Sequence, residues 1–152
     1  YLYDPAHQAI ALLHAGWRGT VDNIVSAGLL KMQKAYGTRA SDVIAGIGPG
    51  ISAACYETSE AVRILFAETF TDRDMEGIFT DPHIGEDGAR HWQLDLARAN
   101  HILLQNAGVQ EIFDGGVCTY RNAKRLFSHR AQGVKRGLNA AFLGLPEEGG
   151  AR

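Results

Sequence analysis

Short apolar runs alternate along this chain with stretches whose apolar residues recur every three or four positions. That alternation leaves few architectures open: a β-sheet with helices packed against it. Three runs read as strands: QAIALLH (Gln8 to His14), DVIAGIG (Asp42 to Gly48) and EIFDGGV (Glu111 to Val117). After the first, Thr20 is the expected N-cap of a helix. It carries Val21, Ile24, Val25, Leu29, Met32 and Tyr36 at helical spacing and stops at Gly37. A second helix is expected over Ser59 to Phe70, with Val62, Leu65, Phe66 and Phe70 on one face. A third, entered from HWQLDL, runs from Asp95 to Ala107 and ends at Gly108.

The remaining segments are less regular. Gly48-Pro49-Gly50 forces a turn. Residues 71–90 are polar, contain Pro82 and end in GEDGAR; they read as the least ordered part, a surface loop closing in a β-turn. CTYRNAKRLFSHR (118–130) reads as irregular with one helical turn, and Arg136 to Leu145 as a last strand. The tail PEEGGAR (146–152) is expected to be mobile. The fold class is α+β, a mixed β-sheet core flanked by helices in a layered α/β sandwich, with one domain over residues 1–152.

Charge and cysteine content narrow the partners. The net charge is −2, and the densest basic stretch, Arg121 to Arg136, is local, so no nucleic-acid partner is expected. No apolar run reaches the roughly 18–20 residues that cross a membrane, and no membrane partner is expected. Cys55 and Cys118 are too few for a disulfide framework. With no secretory signal in view, the expected compartment is the cytoplasm, with both thiols free. The chain opens at Tyr1 rather than methionine, and Leu2 is already strand-like, so native sequence is expected upstream.

Three places concentrate chemistry-capable residues. His14 stands where a buried strand ends, the usual position of site residues in α/β architectures. Gly16 and Gly19 permit close approach of backbone to a ligand, and Arg18 suits a phosphate or carboxylate. The same residues fit a strand-end histidine bonded to a carbonyl, with Trp17 as core filler. In the second place Cys55, Tyr56 and Glu57 follow the GPG turn; Cys55 by itself reads as a small buried apolar residue. The third is LFSHRAQGVKRG, where His129 and Arg130 suit an anion or nucleotide or form a solvated basic loop. Cys118, in the turn that leads there, faces the same pocket or simply packs. His7, His83, His91 and His101 show no zinc-motif spacing.

HAGWRGT (14–20), GIGPGISAACYET (46–58), WQLDLARANHILLQNAGV (92–109) and CTYRNAKRLFSHRAQG (118–133) together resemble the YfiH-like laccase-domain family. Its members are also named polyphenol oxidase, purine nucleoside phosphorylase or peptidoglycan editing factor. The resemblance runs from about residue 8 to residue 145 and corresponds to the C-terminal portion of the family domain. It implies a zinc cofactor held by two histidines and a cysteine. His14 matches the last of these ligands; the first histidine and an Asp-Cys cysteine would lie upstream of Tyr1. Neither Cys55 nor Cys118 matches that cysteine. The missing N-terminal segment, or another chain, would complete the fold.

The resemblance implies a zinc-dependent purine nucleoside phosphorylase with adenosine deaminase activity, acting on a purine nucleoside and phosphate. Multi-copper oxidation fits less well, because it needs several histidine-rich ligand sets. On this reading His14 is the catalytic and metal residue, Arg18 and Arg130 cradle phosphate, and Tyr56 and His129 contact substrate. The alternatives are an amidase that edits peptidoglycan precursors and a non-enzymatic partner-binding domain.

Overall fold

The computed structural model describes residues 1–146. The chain runs through β1 (Leu2–Asp4), β2 (Ala9–Ala11), α1 (Trp17–Val21), α2 (Ile24–Tyr36), β3 (Ile44–Ile47), β4 (Glu57–Ser59) and α3 (Glu60–Phe66). It continues through α4 (Asp72–Ile78), β5 (Phe79–Ile84), β6 (Arg90–Leu94), α5 (Leu96–Asn106), β7 (Glu111–Asp114) and α6 (His129–Gln132). The strands form two sheets, ordered β2-β1-β3-β7 and β4-β6-β5. In the first, β1 pairs antiparallel with β2 and β3, while β3 and β7 run parallel. The second is antiparallel throughout. This is the expected α+β class, with mixed sheet and flanking helices.

The β1–β2 hairpin is built on Asp4. Its buried carboxylate accepts from the backbone N–H of Ala6 (2.9 Å) and His7 (3.2 Å) and meets His7 Nδ1 at 2.7 Å, closing the turn. The first expected strand is shorter than its apolar run. Ladder pairing ends at Ala11, and Leu12 to Gly16 form a connection to α1. Thr20 does not cap a helix. It lies inside α1, fully buried, and its hydroxyl turns back to donate to the Gly16 carbonyl at 3.0 Å. The long expected helix therefore breaks at Asp22-Asn23. Asn23, in the left-handed region at φ 50°, caps α2 by accepting from the Ser26 N–H, and Gly37 ends it as expected.

Residues 71–90 are not a loop. Thr71 and Asp74 form a reciprocal capping box that starts α4, which buries Met75 and Ile78. Its polar residues are an exposed face, and their density hid the sparse apolar stripe. Pro82 sits in β5, an edge strand, where a missing N–H is tolerated and where the pairing with β6 shifts register between Thr80 and His83. The β-turn at GEDGAR is present, with Gly85 N–H bonded to the Ala89 carbonyl at 2.9 Å. HWQL, taken as a lead-in to a helix, is mostly β6, the central strand of the second sheet. Arg136 to Leu145 is not a strand. It finds no ladder partner among the described residues, and Leu138 and Phe142 are more than 80% exposed. The amide of Asn139 ties it down, accepting from Phe127 N–H (2.9 Å) and donating to Phe127 O (2.7 Å). The expected mobile tail, apart from Pro146, lies outside the described residues.

A continuous apolar core joins the two sheets through the helices. Phe66, Ile78, Leu94 and Val43 are among its fully buried members. Phe66 stacks on Phe70 at 5.5 Å and meets Phe79 edge-on at 5.2 Å. Burial at α2 and α5 holds these helices against β2 and β3, which leaves the connection from Leu12 to Gly16 along one rim of a cleft. None of the described helices is long and apolar enough to cross a membrane.

Candidate functional site

That cleft has a volume of about 1010 Å³. The connection bearing His14 lines it, together with the turn after β3, Tyr56, Cys118 and Asn100 of α5. The imidazole of His14 is solvent-exposed and lies over Gly16, where a β-carbon would stand 3.2 Å from Nε2. A β-carbon on Gly19 would stand 3.3 Å from the His14 carbonyl. The two glycines of HAGWRG thus let α1 begin directly beneath the histidine.

The structure places Tyr56 in the cleft with His14 and puts Arg130 against Tyr56. Arg130 stacks over its ring at 5.4 Å and donates from Nη2 to the Glu57 carbonyl at 2.9 Å. Burial pushes the Tyr56 hydroxyl above its ordinary pKa, while the charges of Arg130 and then Arg18 pull the other way. The phenol therefore stays protonated at neutral pH. Arg18 does not line the cleft itself. It is the second residue of a five-residue helix, exposed, with its guanidinium over Trp17 at 4.4 Å. Trp17 is part of the core's edge as well as of the cleft wall.

His129 opens α6, exposed and outside the cleft lining. Arg130 lines a separate hollow of about 300 Å³, with Cys55, Glu57 and Gln93. Cys55 is not buried as expected; it is half-exposed and borders that hollow. His83 and His91 prove to be cross-strand neighbours on β5 and β6 that share Glu57, at 2.9 and 3.5 Å. Only the β5–β6 register brings them together, and β5 was not legible. Among the described residues, no group of three or more His, Cys, Asp or Glu side chains is placed to hold a metal ion.

Cys118 is the residue the sequence left most open. It is buried in the cleft wall, bridged to Gly50, and both cysteines are free. Burial pushes its thiol up. Against that act the Ser52 hydroxyl (3.1 Å), the Arg121 N–H, the Ser52 N–H (3.4 Å) and the Tyr120 N–H, and they prevail, bringing the pKa down to about 7. In a Cys55→Ser variant, thiolate absorbance is expected to rise with a midpoint near pH 7. Ser52→Ala should move that midpoint upward; a midpoint unaffected by Ser52→Ala would remove the hydroxyl as a cause.

Residues 1–146 match the family model described as multi-copper polyphenol oxidoreductase laccase. The chain belongs to this family. It is 40% identical over 138 residues to a purine nucleoside phosphorylase of Bacteroides thetaiotaomicron, covering 90% of this chain and 49% of that one. It is 31% identical to purine nucleoside phosphorylase YlmD of Bacillus subtilis, covering 97% of this chain and 51% of that relative. Among solved structures it resembles the hypothetical protein YfiH of Bacillus licheniformis, with a TM-score of 0.73 and 30% identity, covering 86% of this chain and 48% of that one. The chain thus spans about half the length of the curated relatives it matches.

Proposed function

We propose that the full-length protein carrying this chain is a purine nucleoside phosphorylase that also deaminates adenosine. The observation that carries the reading is one cleft, large enough for a nucleoside with phosphate, that holds His14 and a protonated Tyr56, with the Arg130 guanidinium stacked on the tyrosine ring. The names borne by its relatives point to the same substrate class.

In phosphorolysis a phosphate oxygen bonds to the ribosyl C1′ as the C1′–N9 bond breaks. The purine leaves with the electron pair and takes up a proton. The chemistry needs a cationic cradle for phosphate and stabilisation of a ribosyl cation-like transition state. In this proposal Arg130, stacked on Tyr56, and Arg18, stacked on Trp17, supply the cradle's charge, and the Tyr56 hydroxyl donates to phosphate or ribose. Tyr56 and Trp17 offer ring faces to the base, and His129 contributes at the rim. Zinc is part of this proposal, but the described residues do not fit a complete zinc site. What they offer is the single imidazole of His14, so the other ligands would come from elsewhere in the protein.

The test compares two rates in the full-length protein, wild type against Arg18→Lys: phosphorolysis of adenosine in phosphate, and its deamination. Lysine keeps the charge but loses the bidentate fork. Phosphorolysis is expected to fall on the order of tenfold or more while deamination changes little, because only the first uses phosphate. An unaltered ratio removes Arg18 from the cradle. No turnover of any purine nucleoside by the wild type, with hydrolysis of an amide bond of muropeptide precursors to a carboxylate and an amine in the same preparation, would replace the reading by the amidase one.

A further inference from the structure

We infer that Asn100 and Thr20 are positioning residues for His14, acting through a buried hydrogen-bond chain that fixes the Gly16 carbonyl. The inference rests on the reading of His14 as the reactive histidine of the cleft. Asn100 lies on α5, 80 residues from Thr20 in sequence, and both are buried, at 6% and 0% exposure. Its amide N–H groups donate to the Thr20 hydroxyl (2.9 Å) and to the Leu96 carbonyl (2.8 Å). The Thr20 hydroxyl in turn donates to the Gly16 carbonyl at 3.0 Å, which also accepts the Thr20 backbone N–H at 2.9 Å. Gly16 is the residue over which the His14 ring lies.

Two features distinguish this chain from ordinary core bonding. First, Thr20 already satisfies Gly16 through the backbone, so helix α1 does not require the hydroxyl; the second bond fixes the carbonyl in two directions. Second, the Asn100 amide oxygen is buried with no partner. A buried acceptor left unpaired costs about 1–3 kcal/mol, which an apolar residue at this place in the cleft wall would avoid. An asparagine held there for packing alone has no use for that cost. One held for its two donors ties α5, which is packed into the core, to the loop that aims the histidine. The Leu12 to Gly16 connection has no ladder bonds of its own, so this tie supplies its register.

The experiment follows the His14 imidazole resonances, assigned by their loss in His14→Ala, together with kcat and KM for nucleoside phosphorolysis in the full-length protein. Thr20→Val removes the chain without changing shape, Thr20→Ser restores it, and Asn100→Ala cuts it from the other end. Leu103→Ala, a buried neighbour on α5 outside the cleft lining, controls for lost stability alone. Thr20→Val and Asn100→Ala should shift the His14 resonances and lower kcat on the order of tenfold, with KM within about twofold. Thr20→Ser should recover both, and Leu103→Ala should leave both in place. Should Thr20→Val not fold, Asn100→Ala decides by the same criteria. Resonances unmoved in the folded variants, or moved equally by Leu103→Ala, overturn the inference. Full activity in His14→Ala would instead overturn the reading of His14, and the resonances would still decide whether the chain positions it.

Discussion

His14→Ala in the full-length protein is expected to lower nucleoside phosphorolysis by at least about a hundredfold, and zinc content with it, while the melting temperature stays near that of the wild type. The zinc outcome rests on the proposed function; the activity and stability outcomes come from one geometry. The imidazole is exposed at the rim of the cleft, so removing it opens no cavity in the core. It is the one histidine among the described residues that lines the cleft, so no neighbouring ring replaces it. The turn beneath it is held by the Thr20 N–H on the Gly16 carbonyl at 2.9 Å, a backbone bond that does not involve the imidazole. Metal analysis, calorimetry and steady-state rates on the same preparation make the check. Retained activity with retained zinc would mean that the reactive centre lies elsewhere. Loss of activity accompanied by a fall in melting temperature would make His14 a structural residue.

How much of this was legible in advance depended on whether a signal was local. The strands at Ile44–Ile47 and Glu111–Asp114 are apolar runs closed by glycine or aspartate, and the helix over Leu96–Asn106 has its cap in Asp95 and its stop in Gly108. Each could be read without knowing its neighbours. The second sheet could not. Its strand β5 has one buried residue, Phe79, followed by five exposed ones, because an edge strand with little buried face needs no alternation. The opposite error arose at Arg136 to Leu145. There a good apolar pattern forms no strand, because a strand needs a partner and the described residues supply none. Thr20 misled for a third reason. Its type suits an N-cap, yet burial made its hydroxyl more useful against the Gly16 carbonyl and the Asn100 amide. At the site, His14 and Tyr56 do share a cleft. Asn100 was invisible, since nothing in ARANH announces that its amide faces α1.

Gly16→Ala is the prediction that separates shape from chemistry at this site. Gly16 has φ −69° and ψ 170°, extended backbone that alanine adopts without strain. The substitution should therefore leave stability within about 1 kcal/mol of the wild type, and the stiffer unfolded chain favours the variant slightly. The added methyl, however, stands 3.2 Å from His14 Nε2 and 3.8 Å from Cδ2. Apart from Gly16's chain neighbours, no other described residue comes within 4 Å of it, so the imidazole is what must give. Because that ring is exposed on its other side, it can rotate away by a few tenths of an ångström at little cost to folding. A reacting group so displaced is expected to lose on the order of tenfold in kcat, with the nucleoside KM little changed. Gly19→Ala provides the contrast: its methyl meets the His14 carbonyl at 3.3 Å and the Ile24 side chain at 3.7 Å, so it presses on backbone and should cost stability as well as rate. The measurement is the pair of kcat values beside the pair of melting temperatures. If Gly16→Ala keeps full kcat, the orientation of His14 over Gly16 is incidental to turnover. If it melts as early as Gly19→Ala, the glycine serves the start of α1 rather than the aim of the histidine.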